Sequence, residues 1–247
     1  MIALVDADTI YYRAAFKLNK KEVRKTIDTK MREIEGHLFM PAMQVAVKGF
    51  GNYRKDLYPN YKANRTTKEE IKPYLNYGHQ YMCDKYNAVM ADGMEADDLV
   101  AIWAAECRAN DMDYVIAGID KDLLQIPGKH LNYFRMDMTE VDEPTAHYNL
   151  MLQCLTGDNS DNIPGIKGIG PKKAERILAG VTPDRMWGRV RAAWRGHHAG
   201  DPELSRTLLT MLTSWEELDA IRAQIQSETG ECKQDVQQTG TDNVQVS

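Results

Sequence analysis

A mainly parallel α/β sheet flanked by helices, with a helical region after it, is the fold class the sequence predicts. Three observations carry this expectation. Short apolar runs such as "IALVDAD" and "YVIAGID" lack polar alternation, as strands buried on both faces do. Patterns of helical spacing stand between them, the arrangement that builds a parallel sheet. From "AHYNLMLQCL" at Ala146 onward only helical patterns recur.

The elements follow in order. "IALVDAD" predicts a strand ending at Asp6, and "VRKTIDTKMREIEGHLF" a helix. "MQVAVKG" predicts a second strand. "FGNYRKDLYPNYKANRTTKEEIKPYL" is polar, basic and aromatic without a clean period, as a long loop or lid would be. "LNYGHQYMCDKYN" reads as helical. In "GMEADDLVAIWAAECR" a helix opens on Glu95, Asp97 and Asp98 and buries Leu99, Ile102 and Trp103. "MDYVIAGIDKD" predicts a third strand ending at Asp120, and "LNYF" a fourth. The division expected is residues 1–150 as α/β core, 151–226 as helical region and 227–247 as a disordered tail, polar and without period.

The chain has 247 residues, 43% of them hydrophobic, enough for one large domain or two small ones. Cys83, Cys107, Cys154 and Cys232 form no CxxC pair, and they read as reduced thiols of an intracellular, cytoplasmic protein. The N-terminus does not read as a signal peptide, and no run approaches the roughly 20 apolar residues of a membrane span. The net charge of −5 argues against a nucleic-acid partner, but its distribution does not. From Lys48 to Lys72 seven basic residues face three acids, and Arg185, Arg189, Arg191 and Arg195 follow further on. Such stripes meet phosphates.

The acids form a set. Asp6 and Asp120 end strands, Asp122 follows, and Glu95, Asp97 and Asp98 start a helix. Ligands of open α/β sheets bind at that edge, beyond the carboxyl ends of the strands. Asp158 and Asp161, three apart, occur in "LTGDNSDNIPGIKGIG". Eight carboxylates crowded together do not ionise unaided, and an all-oxygen set suits magnesium or manganese. Two such ions roughly 4 Å apart would activate a water and stabilise the leaving oxygen of a phosphodiester. Without these eight charges the chain stands at −5 + 8 = +3. A lone aspartate after a strand is more often a cap or turn former, so the joint pattern carries the reading. In "IPGIKGIGPKKAERIL" glycines flank a tight turn whose bare N–H groups, with Lys167, Lys172, Lys173 and Arg176, can grip a phosphate. In "YPNYKANR", Tyr61 can stack on a base while Lys62 and Arg65 neutralise a phosphate.

"GMEADDLVA", "AGIDKDLLQI", "YKANR" and "LTGDNSDNIPGIKGIGPKKAERIL" closely resemble, in this order, motifs of the 5′-nuclease superfamily of flap endonucleases and 5′–3′ exonucleases, and the short chain looks like the phage type. The resemblance implies a PIN-like core and a divalent-metal-dependent nuclease acting on DNA with 5′ ends or flaps, leaving 5′-phosphates. It implies a helical arch or clamp at about 48–75 and a helix–three-turn–helix at about 163–180, often holding potassium. By motif position Asp6, Glu95 and Asp97 would serve a first ion, and Asp120, Asp122 and Asp161 a second. Asp98 and Asp158 would act from the inner or outer shell. Lys62 and Arg65 match the pair that contacts the scissile phosphate, and Gly165, Gly168 and Gly170 the DNA-gripping turn. One departure stands out: the family places an aspartate at the end of the second strand, whereas no acid occurs here between Met43 and Lys55. The first site is then weaker or is completed by substrate phosphate. Two rival readings are an RNA-preferring PIN-type ribonuclease and a non-catalytic DNA-structure-binding protein.

Overall fold

The computed structural model describes residues 1–39, 42–197 and 200–238. The chain opens with β1 (Ile2–Asp6), α1 (Asp8–Ala15), α2 (Lys20–Leu38) and β2 (Met43–Lys48). Short α3 (Tyr53–Leu57) follows, then α4 (Lys72–Tyr86), β3 (Val89–Ala91), α5 (Ala96–Ala109) and β4 (Tyr114–Ala117). After a 3-10 turn at Lys121–Gln125 come β5 (Gly128–Asn132) and β6 (Asp137–Val141). One sheet holds these strands in the order β3-β2-β1-β4-β5-β6, the first five parallel and β6 antiparallel to β5.

The predicted sheet is therefore present, with two strands the sequence did not announce. β3 is three residues long, and β6 is a charged edge strand exposed over Asp137–Glu140. Edge strands lack the buried apolar run that marks β1 and β4. The "YVIAGID" strand stops at Ala117, and Gly118–Asp120 lead into the 3-10 turn.

Side chains alternate across the sheet and feed two cores. Leu4 and Ile116 pack with Leu99, Ile102 and Trp103 of α5. Ala3, Val5, Val45, Val47 and Val115 pack with Ile10, Val23, Ile27, Met31 and Met82 of α1, α2 and α4. β1 lies between β2 and β4, where the strand order reverses, and a crevice opens at such a switch point.

The remaining helices are α6 (Glu143–Thr156), α7 (Pro171–Leu178), α8 (Pro183–His197), α9 (Pro202–Leu209) and α10 (Trp215–Gln238). The expectation of helices alone needs one correction. β7 (Gly157–Asp158) and β8 (Ile163–Pro164) form a small antiparallel hairpin between α6 and α7. Met151, Leu155, Ile163, Leu178, Val190 and Trp194 make a third core, and Trp194 Nε1 donates to the Cys154 carbonyl at 2.8 Å. The segment 227–247, expected to be disordered, is helical as far as Gln238, where Glu, Gln and Lys supply helix propensity without an apolar stripe. Residues 239–247 of that expectation lie outside the described residues. Cys83, Cys107 and Cys154 are free thiols. Among the described residues no helix is long and apolar enough to cross a membrane.

Candidate functional site

β1 delivers Asp6 to the switch point, where it is 6% exposed and accepts the Asp8 N–H at 3.2 Å. α5 starts beside it. Its N-cap residue, Glu95, is held by Asn52 Nδ2 at 3.0 Å, by Lys62 Nζ at 2.5 Å and by the Tyr61 hydroxyl at 2.7 Å. Asp97 sits in the first turn and accepts the Asp98 N–H. Beyond β4, Asp120 accepts the Asp122 N–H at 3.0 Å and caps the 3-10 turn, while Asp122 accepts from Gln153 of α6. The β7–β8 hairpin brings Asp158 and Asp161 from the other side. Asp161 is bonded by Arg65 and by the Tyr61 hydroxyl, with Lys62 Nζ at 3.4 Å.

The electrostatics bind these groups into one region. Burial, and then the charge of Asp8, pushes the Asp6 carboxyl up to about 8, with Asp120 and Glu95 adding to the effect. Burial, with Asp120 and Asp158 close by, raises Asp122 to about 7. Burial also lifts Asp97 well above the ordinary range, helped by Glu95 and Asp98. Burial opposes ionisation of Glu95 as well, but Lys62 and Arg54 outweigh it and hold that carboxyl low. At Asp158 burial is likewise outweighed by Lys121. Among the described residues no three of these carboxylates converge on one point. Lys62 and Arg65 stand between Glu95 and Asp161, and Lys121 stands at Asp158.

This pattern fits divalent cations. Buried Asp6 and half-buried Asp97 and Asp122, all held above their ordinary range, are like charges wanting a counter-charge. Asp158 Oδ2 is buried without a hydrogen-bond donor, its neighbour being Lys121 Nζ at 2.8 Å outside bonding geometry. The donors are all oxygen, as hard ions require.

A pH prediction follows from Asp6 and Asp122. Their folded-state pKa values lie above the ordinary aspartate value of 3.8, so the folded protein binds more protons than the unfolded chain in between. The stability they contribute is complete below about pH 4 and is lost as pH rises through about 7 and 8. In EDTA the thermal midpoint should fall between pH 6 and pH 9, and Asp6→Asn should flatten that fall. Scanning fluorimetry measures both, and an equal slope in wild type and variant contradicts the assignment.

Two sequence expectations change. Asp98 is not available to a metal. It is 0% exposed, and its oxygens accept two bonds from Arg54 (2.5 and 2.8 Å), one from the Leu212 N–H and one from the Glu95 N–H. Tyr61 cannot stack on a base, because its ring is 2% exposed in the third core and its hydroxyl orients Glu95 and Asp161. At Gly165 a Cβ would lie 2.1 Å from the Thr156 carbonyl carbon, so the chain must be glycine there to pass α6. Lys173 is exposed and donates its Nζ to the Gly168 carbonyl at 2.8 Å. Lys167, Lys172, Gly168 and Gly170 are exposed, and open space surrounds both glycines.

A cleft of about 1000 Å³ lies against the site, lined by Asp8, Lys48, Lys55, Lys62, Arg65 and Glu95 among others. Asp8 and Asn52 were missed in the sequence. An acid in a helix's first turn and a polar loop residue carry no distinguishing signal.

Residues 1–150 match the family described as 5′–3′ exonuclease, N-terminal resolvase-like domain. The chain is 37% identical over 139 residues to a DNA polymerase I of Rhizobium leguminosarum, covering 51% of this chain and 14% of that one. It is 29% identical over 195 residues to a 5′–3′ exonuclease of Bacillus subtilis, covering 69% and 65%. It is 28% identical over 200 residues to the flap endonuclease Xni of Vibrio cholerae, covering 72% and 75%. In structure it is similar to the D15 flap endonuclease of bacteriophage T5, solved as a pseudo-enzyme-product complex with DNA and metal ions. That likeness has a TM-score of 0.69 at 17% identity and covers 92% of this chain and 98% of that one. With the motifs, the switch-point acids and a matching fold in place, the chain belongs to the 5′–3′ exonuclease family through its N-terminal resolvase-like domain.

Proposed function

We propose that the protein is a divalent-metal-dependent 5′–3′ exonuclease and flap endonuclease that hydrolyses DNA phosphodiesters and leaves 5′-phosphates. The observation that carries this is the clustering of Lys62 and Arg65 with Glu95 along one cleft, with Asp6 and Asp97 near enough to Glu95 for its charge to act on both, in a chain of this family. Asp6, Glu95 and Asp97 would hold a first magnesium or manganese ion, and Asp120, Asp122, Asp158 and Asp161 a second. Bound divalent ions supply Lewis acidity at a phosphodiester.

The chain's own residues do the positioning. Lys62 adopts a left-handed backbone at φ 54°, with its N–H donated to the Asp161 carbonyl at 2.8 Å. That conformation is costly for a residue with a side chain, and it seats the ammonium between the two groups of acids. Buried Tyr61 fixes the start of this turn and aligns Glu95 with Asp161. Lys62 and Arg65 can exchange their carboxylate partners for a phosphate entering the cleft, since both line it. The exposed turn at Gly168 and Gly170, with Lys167 and Lys172, would hold duplex backbone without reading sequence. A potassium ion at this turn belongs to the same proposal. Residues 1–150, 151–226 and 227–247 would then serve as nuclease core, duplex grip and tail, with 48–75 bridging the cleft.

DNA and RNA duplexes of one sequence, incubated side by side in magnesium, test the reading. DNA should shorten from its 5′ ends and EDTA should stop the loss; faster loss of RNA would favour a ribonuclease, and no loss a binding protein. For the grip, Lys167→Ala with Lys172→Ala should lower the slope of log affinity against log salt on duplex DNA by about 0.9 per lost contact. An unchanged slope removes these lysines from the interface.

A further inference from the structure

The carboxyl edge of β2 contributes no acid of its own. Val47 is 0% exposed in the core, and a Cβ on Gly49 would lie 2.4 Å from Asp92 Oδ1 and 2.6 Å from the Ala91 carbonyl carbon. Another carboxylate stands at that edge. Asp8, the first residue of α1, accepts the Lys48 N–H at 2.8 Å, so it sits at the last residue of β2 although it lies forty positions away in the chain. Its Oδ1 also takes the Tyr11 hydroxyl at 2.8 Å. Both bonds fall on one oxygen, which leaves Oδ2 to the cleft that Asp8 lines together with Glu95, Lys62 and Arg65. The Asp8 N–H donates to Asp6 Oδ1, so the two carboxylates are adjacent.

We propose that Asp8 is a further ligand of the first divalent ion, reaching it through Oδ2 or through one ordered water, and so takes the place of the carboxylate that β2 lacks. The inference rests on the two-ion reading above. A sheet edge with Asp6 at β1 and nothing at β2 would leave the ion short on one side. α1 begins two residues after β1, and its first residue folds back over β2 to close that side. Tyr11 and the Lys48 amide fix the Asp8 rotamer, as groups around a metal ligand do.

The test is Asp8→Asn. Asparagine keeps an Oδ1 acceptor for Lys48 and Tyr11, removes the carboxylate charge and puts an amide NH2, which does not ligate a cation, in place of Oδ2. Manganese titration of the whole chain, followed by the electron paramagnetic resonance of free manganese, reads binding without turnover. Asp8→Asn should weaken one manganese ion by about tenfold or more, the loss a disturbed ligand shell brings. Its thermal midpoint in EDTA should be equal to or above wild type, because repulsion of Asp6 is relieved. Asp6→Asn and Asp120→Ala run beside it. If Asp8→Asn matches the wild-type isotherm while Asp6→Asn weakens it, Asp8 is no ligand and the two-ion reading stands. If none of the three variants moves the isotherm, both fail. A large fall of the Asp8→Asn midpoint in EDTA would make Asp8 a structural residue and overturn the proposal.

Discussion

Asp120→Ala is expected to cleave DNA on the order of 10²–10³-fold more slowly than wild type, the cost of removing one group that stabilises charge in a transition state. Binding to DNA in calcium should stay within a few-fold. The reason is a separation of parts. Asp120 stands beyond β4 with Asp122, Asp6 and Lys121 within reach of its charge, whereas the exposed cations Lys167 and Lys172 lie at the turn that opens α7. Phosphate contacts supply affinity, and they are untouched by the substitution. Single-turnover cleavage with a filter-binding assay separates the two quantities. A variant that cuts at near wild-type rate would remove Asp120 from the second ion, and one that loses binding would merge the two parts.

Arg54→Ala should lower the thermal midpoint more than any other single change discussed. Arg54 and Asp98 form a buried bidentate pair whose side chains are 4% and 0% exposed. Arg54 also donates to the carbonyls of Leu208 (2.8 Å) and Thr210 (2.9 Å). It thus ties α3 and the start of α5 to the C-terminal end of α9. Removing one member of such a pair leaves a buried charge and costs about 3–5 kcal/mol. For a chain of this size that is roughly 6–20 °C. The shift should be present in EDTA as well as in magnesium, because the pair belongs to the fold. A shift under about 2 °C, or one that appears only with magnesium, would return Asp98 to the metal ligands.

These two residues show what could and could not be read from the chain. Asp120 was legible because a buried apolar run precedes it, and a parallel sheet places such ends at one edge. β1, β2, α2, α4 and α5 were legible for the same reason: their burial leaves a period in the sequence. Asp98 was misread because its spacing from Glu95 shows that they share a helix face but not what lies opposite. Its partner Arg54 is 44 positions away, in a stretch that read as a long loop or lid. Tyr61 failed similarly: its neighbours in "YPNYKANR" are exposed, and its burial comes from α6 and the β7–β8 region. β3 and β6 stayed hidden because a short or charged edge strand draws its hydrogen bonds from a neighbour and little from its own side chains. Asp8 was passed over as an ordinary acid at a helix start.

The most direct measurement uses a 5′-labelled flap on a duplex, incubated with the protein in magnesium and in EDTA. Short labelled products should appear in magnesium only, and the shortened strand should carry a 5′-phosphate that a ligase can seal. Binding of the flap with no cleavage in magnesium or manganese would contradict the account, because the acids at the sheet edge would then hold no working metal.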